Sequence, residues 1–207
     1  MRYRHIVFDI DGTLIDTEYA VLHSLQDTVE ALTGRAPELD ALRFALGITG
    51  EDALARLGVA QEDIPAAIDR WNRQMLRYAH RTNVFRGLPA ALDSLRAAGC
   101  RLGIVTSKTR EEYRQDFAPF GLDGYFETVV CADDTAAHKP DPAPLLRYLE
   151  QAAAAPSETL YVGDSPYDSQ CAAGAGVAFG LALWGSHVPL PPARHWLHRP
   201  AQLLALV

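Results

Sequence analysis

The chain has 207 residues, 48% hydrophobic and 22% charged, enough to bury one sizeable core and leave room for a modest inserted second domain. Its formal charge of −7 argues against nonspecific binding to nucleic acid or an anionic membrane, because an acidic surface gains nothing beside phosphate; a small anionic ligand at a local positive site stays open. Cys100, Cys131 and Cys171 are few, widely spaced and without a C-x-x-C pair, which suits a reducing compartment and supports neither a disulfide framework nor structural zinc. No basic segment followed by an apolar one opens the chain and no apolar run is long enough to span a bilayer, so the expectation is a soluble, cytoplasmic protein, monomer or homodimer.

The first predicted element is the apolar strand Ile6-Val7-Phe8, which runs into Asp9-Ile10-Asp11 and a Gly12-Thr13 turn. Side chains two apart on a strand share a face, so Asp9 and Asp11 both project toward whatever lies beyond its C-terminal end. Two carboxylates there repel each other and resist desolvation unless a hard cation binds, one stays protonated, or both. A phosphoryl-transfer nucleophile and its proton donor use both remedies. The plain alternative is a strand entering an Asp-Gly turn.

Residues 17 to 34 carry Val21, Leu25, Thr28, Val29 and Leu32 at the spacing of an amphipathic helix that ends near Gly34. Helix continues to about residue 82, where Ile64, Ile68, Trp71, Met75 and Tyr78 form one stripe on a long helix. From residue 85 helices and short apolar strands alternate: helix at 88 to 98, strand Leu102 to Val105, helix at 109 to 118, and strand Thr128 to Val130. Helix at 142 to 153, strand Leu160 to Val162, helix at 166 to 174 and a strand within Gly176 to Leu183 follow. A loop with Pro189, Pro191 and Pro192 then leads to a short apolar helix at 200 to 206 that adds an edge to this layer. The pattern predicts an α/β fold, a three-layer Rossmann-like core with a parallel sheet, plus an all-helical segment inserted after the first strand. The boundaries are 1–15 and 85–207 for the core and 16–84 for the insert. Open parallel sheets bind ligands outside their C-terminal strand ends, so the insert hangs over Asp9 and Asp11 as a lid.

The other strand ends carry chemistry too. Thr106-Ser107-Lys108 offers hydroxyls and backbone N–H groups beside a helix start, a setting for phosphate and equally for a helix N-cap. Lys139, in His138-Lys139-Pro140-Asp141-Pro142, shares with Lys108 the distinction of being one of only two lysines, both at strand-to-helix junctions. An ammonium there can neutralise a phosphoryl group or pair with a carboxylate. Gly163-Asp164-Ser165-Pro166-Tyr167-Asp168 supplies a second acidic pair at the start of a helix. Two acidic pairs offering oxygen ligands favour Mg2+ over zinc.

These four ordered motifs, from Asp9 to Asp168, resemble the haloacid dehalogenase superfamily, in its phosphoglycolate-phosphatase-like branch with a helical cap. Asp16-Thr17 and Phe85-Arg86-Gly87 resemble that family's cap boundaries. The resemblance implies that Asp9 is the nucleophile forming an aspartyl-phosphate and that Asp11 is the acid/base. It makes Thr106 a phosphate ligand with Ser107 assisting, and Lys139 the neutralising cation for both the phosphoryl group and Asp9. Asp164 ligates Mg2+, Asp168 completes the acidic site, and the metal site as a whole comprises Asp9, Asp11 (through its carbonyl), Asp164 and Asp168. The implied activity is Mg2+-dependent hydrolysis of a small phosphorylated metabolite, with phosphoglycolate one candidate, and Thr49 and Gly50 in the cap as specificity positions.

A β-phosphoglucomutase-like phosphotransferase, an inorganic pyrophosphatase, and an idle binding protein on the same fold are the alternatives. The mutase lacks its arginine in Gly47-Ile48-Thr49-Gly50-Glu51-Asp52, and an idle binder leaves the intact Asp9 and Asp11 without a purpose. A dehalogenase gives Asp11 and the acidic pair no task, and a Schiff-base phosphonate hydrolase needs a cap lysine that is absent. Gly174 to Gly180 precedes a strand, whereas a dinucleotide fingerprint must follow one, so it reads as a turn. His195 and His198 lack metal-ligand company. Arg70, Arg73, Arg77 and Arg81 share one helix face, expected to be solvated, with contact to an anionic substrate the other option.

Overall fold

Apolar residues that alternate along β1 (His5–Phe8) set the layering of the computed structural model, which describes residues 3–187 and 190–207. Ile6 and Phe8 face a cluster containing Leu88, Leu92 and Leu95 of α5 (Leu88–Ala97), while Val7 faces the opposite cluster with Leu145, Tyr148 and Leu149 of α7 (Ala143–Ala152). Around β1 stand β4 (Arg101–Val105), β5 (Thr128–Val130), β6 (Thr159–Gly163), β7 (Ala178–Ala182) and β8 (His195–Leu197), in the order β5-β4-β1-β6-β7-β8. Every neighbouring pair is parallel. With α7 and α8 (Pro166–Gly174) covering the second face, the sheet is buried on both sides, as a parallel sheet requires. This is the expected three-layer α/β core.

The chain leaves β1 toward β4 on one side and leaves β6 toward β7 on the other. Loops diverge between the two strands and leave a crevice at their C-terminal ends, the place where such sheets take ligands.

Between β1 and α5 lies the helical segment: α1 (Glu18–Thr33), α2 (Leu39–Leu42), α3 (Gly50–Arg56) and α4 (Ile64–Tyr78). It has its own apolar cluster of Leu22, Leu25, Leu42, Leu54, Ile64 and Trp71 among others, and Trp71 Nε1 donates to the buried Ser24 hydroxyl at 2.8 Å. Two short strands, β2 (Ile15–Asp16) and β3 (Asn83–Val84), pair antiparallel and hold the entry and exit of the segment side by side.

Local differences from the sequence expectation have identifiable causes. Residues 109 to 118 form one α-turn, α6 (Arg110–Glu112), which widens into a π-turn at Tyr113–Phe117. The N-cap there is Thr109, whose hydroxyl accepts the Glu112 N–H, so Thr106 is not the cap. The terminal helix at Pro200–Leu206 is a 3-10 helix, and the strand expected within 176–183 begins only at Ala178, after Gly176 in the left-handed region. The sequence pattern does not anticipate β8. It supplies the outer edge, with His195 packed 3.0 Å from the Tyr3 hydroxyl. Pro189 lies outside the described residues. Among those residues, no helix is long and apolar enough to cross a membrane.

Candidate functional site

Asp9 follows directly on β1, and its N–H donates to Val162 O at 2.9 Å, which extends the parallel ladder with β6 and locks the carboxylate at the crevice. Asp9 is 2% exposed. Its Oδ1 lies 2.9 Å from Lys139 Nζ, while its Oδ2 has no hydrogen-bond partner. A buried, unpartnered carboxylate oxygen is costly unless something binds it. Burial pushes the Asp9 carboxyl up to about 7, with Lys139 opposing the rise and the Asp168 and Asp11 carboxylates adding to it.

Gly12 makes the crevice narrow. Its backbone is in the left-handed region at φ +71°, and a Cβ there would overlap the Asp164 carboxylate. Only glycine lets the β1 loop approach the β6 loop this closely. Thr13 Oγ1 donates to Asp164 Oδ1 at 3.1 Å, and Trp184 Nε1 braces the same turn by donating to Thr13 O at 3.0 Å. Ser186 Oγ donates to Asp164 O at 2.6 Å. Burial pushes the Asp164 carboxyl well above the usual carboxylate range, with the neighbouring Asp168 and Asp9 charges adding to the shift.

Asp168 sits inside α8 and is completely buried. Its Oδ1 takes Lys139 Nζ at 2.8 Å and the Tyr161 hydroxyl at 2.9 Å; its Oδ2 takes the Ser165 N–H at 3.1 Å and the Ser165 hydroxyl at 2.6 Å. Gly163 has to be glycine for this packing, since a Cβ would meet the Asp168 carboxylate. Asp9, Asp164 and Asp168 offer carboxylate oxygens within 4.8 Å of one another, a donor set of the hard-oxygen type that suits Mg2+. Of the three, Asp168 is saturated by the protein and anchors Lys139, whereas Asp9 Oδ2 is free.

Lys139, 2% exposed, therefore bridges Asp9 and Asp168. Burial works against its charge, yet the two carboxylates win and hold the ammonium above the ordinary lysine value. The second lysine is equally engaged: Lys108 Nζ lies 2.8 Å from Asp116 Oδ2 and 3.3 Å from Asp11 Oδ1, the latter an ion-pair distance without hydrogen-bond alignment. Thr106 is buried at the end of β4, where its hydroxyl accepts the Lys108 N–H at 3.2 Å. Ser107 Oγ donates to Gly47 O in the helical segment at 2.9 Å.

Where that segment meets the core, a cavity of about 70 Å3 opens onto Asp9, Asp11, Ser107 and Lys108. Gly50 lines it; Thr49 does not, because its hydroxyl caps α3 by accepting the Asp52 N–H at 3.1 Å. Arg70, Arg73, Arg77 and Arg81 are exposed and none lines the cavity. The crevice thus brings together Asp9, Asp11, Thr106, Ser107, Lys139, Asp164 and Asp168. Sequence reasoning misses Thr13, Tyr161, Trp184, Ser186, Glu112 and Asp116. Tyr161 carries a usable signal: a tyrosine inside a fully buried strand must find its hydroxyl a partner.

Comparisons with known proteins identify the family. Residues 6–182 match the model of the haloacid dehalogenase-like hydrolases. A phosphoglycolate phosphatase of Cereibacter sphaeroides is 34% identical over 207 residues, spanning 92% of this chain and 90% of the relative. The pyrophosphatase PpaX of Halalkalibacterium halodurans is 31% identical over 193 residues, 89% of this chain and 87% of that one. The crystal structure of a Lactobacillus plantarum protein superposes with a TM-score of 0.90 at 30% identity, covering all of both chains. The match spans every strand of the sheet but β8 together with the whole helical segment, and the chain belongs to the haloacid dehalogenase-like hydrolase family.

Proposed function

We propose that this protein is a Mg2+-dependent phosphatase that hydrolyses a small phosphate monoester through an aspartyl-phosphate on Asp9, with residues 16–84 acting as a cap over the site. The observation that carries the reading is the Asp9 carboxylate, buried in the lining of the cavity, with one oxygen held by Lys139 and the other without a partner. The family match and the relatives named as phosphatase and pyrophosphatase support the same reading.

Asp9 Oδ2 attacks phosphorus; the Oδ2–P bond forms as the bond to the leaving oxygen breaks. Asp11, in its acid form, gives its proton to that oxygen. Water then attacks the aspartyl-phosphate, Asp11 takes the water's proton, and phosphate leaves with Asp9 restored. Lys139 balances charge on Asp9 and on the phosphoryl oxygens throughout, while Thr106 and Ser107 lie at the end of β4 where the phosphoryl group is received. Asp9, Asp164 and the Asp11 carbonyl would hold Mg2+, which when bound neutralises phosphoryl charge. The cap closes the crevice, with the Ser107–Gly47 hydrogen bond as one of its ties to the core.

The test is phosphate release from a panel of small phosphate monoesters with Mg2+ and with EDTA. Metal-dependent release that Asp9→Asn abolishes supports the reading; a fully active Asp9→Asn variant refutes it.

A further inference from the structure

Relatives named for phosphoglycolate and for pyrophosphate differ in what leaves: a carboxylate-bearing alcohol in one, a second phosphate in the other. Both leaving groups are anions. In this chain the cavity lining holds no unpaired cation to receive an anion. On the cap side its wall is Val21, Ile48, Trp71 and Met75, with Asn72 as the one polar side chain of the group and no lysine, arginine or histidine among the cap residues that line it. On the core side stand Lys108, Glu112 and Asp116.

Among the described residues Lys108 is the sole cation lining this cavity, and it is already spent. Its ammonium lies 2.8 Å from Asp116 Oδ2 and 3.3 Å from Asp11 Oδ1, and the residue is 8% exposed. Glu112 adds a further negative charge, held in place because its carboxylate accepts the Thr109 N–H at 2.8 Å in the capping box of α6. Lys108 against Asp116 and Glu112 leaves the core side of the cavity net negative before Asp11 is counted.

We infer that the cavity selects a phosphate monoester whose leaving alcohol carries no negative charge, a neutral or cationic alcohol rather than a carboxylate or a second phosphate. This rests on the phosphatase reading above and narrows its substrate. Asp116 and Glu112 act as the specificity elements: Asp116 holds Lys108 away from any leaving-group anion, and both carboxylates repel that anion.

A two-carbon series isolates the charge: O-phosphoethanolamine, 2-hydroxyethyl phosphate and 2-phosphoglycolate share a skeleton and differ in an ammonium, a hydroxyl or a carboxylate. With Mg2+ at low ionic strength, kcat/KM for the first two is expected to exceed that for 2-phosphoglycolate and for pyrophosphate by at least about tenfold. Equal values, or a preference for either anion, overturn the inference and leave the phosphatase reading standing. Failure to release phosphate from all four substrates overturns both. Asp116→Asn removes one of the two carboxylates that hold Lys108, and the ratio of kcat/KM for 2-phosphoglycolate to that for 2-hydroxyethyl phosphate is expected to rise at least fivefold. A merely structural role for Asp116 would lower both substrates together, so an unchanged ratio in the folded variant also overturns the inference.

Discussion

Lys139 Nζ and Asp168 Oδ1 meet at 2.8 Å with both side chains out of water, and the same ammonium reaches Asp9 Oδ1 at 2.9 Å. One cation thus serves the buried Asp168 and the proposed nucleophile Asp9 at once. The arrangement explains why Asp168 is completely buried although it faces the chemistry: it fixes the lysine, and the lysine fixes Asp9. Truncating Lys139 to Met leaves two buried carboxylates uncompensated, and a loss of about 3–5 kcal/mol is expected in urea denaturation at neutral pH without metal.

Asp168→Asn tests the anchor more gently. The amide oxygen can still accept from Lys139 and Tyr161, but its NH2 then faces the Ser165 N–H, donor against donor, where Oδ2 now accepts at 3.1 Å. Half of the α8 capping box is lost with it, while the Ser165 hydroxyl can still accept the backbone N–H of residue 168. Expected are a stability loss of about 1–3 kcal/mol and a fall in kcat of about 10- to 100-fold, typical when the support of a reacting group is removed. Denaturation and phosphate-release kinetics on the same preparation check both.

Gly12→Ala adds one methyl group where the β1 and β6 loops touch. The φ of +71° already disfavours alanine, and the new Cβ overlaps the Asp164 carboxylate, so one loop must withdraw. A destabilisation above about 1 kcal/mol is expected, together with weakened Mg2+ activation, because Asp164 moves relative to Asp9. A variant with wild-type melting temperature and wild-type Mg2+ dependence would contradict the close-approach argument.

Much of this architecture is legible in the amino-acid sequence. β1, β4 and β6 are short apolar runs that lead directly into polar residues, and their parallel order alone gathers Asp9, Thr106 and Asp164 at one edge. What escapes depends on contacts between distant parts of the chain. β8 is three residues long with Trp196 47% exposed, too short for any periodicity, and exists because Gly180–Ala182 offers it a free edge. Thr109, not Thr106, caps the turn after β4, since the chain runs on through Ser107 and Lys108 before it becomes helical at Arg110. Trp184 and Thr13 are 171 positions apart, so no spacing rule could connect the indole to the turn that it braces. Thr49 stands out in its loop, but its hydroxyl is occupied at the start of α3.

Ser107 and Asp9 should separate by magnitude. The Ser107 hydroxyl makes one hydrogen bond, to Gly47 O across the junction with the cap. Such a bond contributes about 0.5–1.5 kcal/mol, so Ser107→Ala is expected to lower kcat/KM by no more than about tenfold, mainly through KM if cap closure weakens. Asp9→Asn removes the proposed nucleophile and should leave only background rate. Steady-state kinetics on the two variants resolve them; comparable losses would mean that Ser107 contacts the reacting phosphoryl group more strongly than its cap contact implies.

The crowded acids also make stability depend on pH and metal in a specified direction. Asp9 rises from the ordinary aspartate value to about 7, first through burial, and Asp164 rises well above it for the same reason. A carboxyl with a raised folded-state value binds more protons folded than unfolded at intermediate pH, so ν_U − ν_N is negative and stability falls as pH rises. The contribution is fully present below about pH 4, the unfolded aspartate range, and is lost as pH climbs through about 7 for Asp9, with the upward-shifted Asp164 adding a loss of the same sign. Metal-free protein is therefore expected to lose melting temperature between pH 5.5 and 8 relative to a variant carrying Asp164→Asn. A divalent cation binds the ionised carboxylates and competes with their protons, so Mg2+ should raise the melting temperature more at pH 8 than at pH 5.5. Asp164→Asn removes one ligand and one source of repulsion together: the variant should melt higher than wild type at pH 8 in EDTA and gain little from Mg2+. Thermal melts at the two pH values, with EDTA and with saturating Mg2+, check the sign in each case, and an Mg2+ shift that is larger at pH 5.5 would show that the raised carboxyls are not where the metal binds.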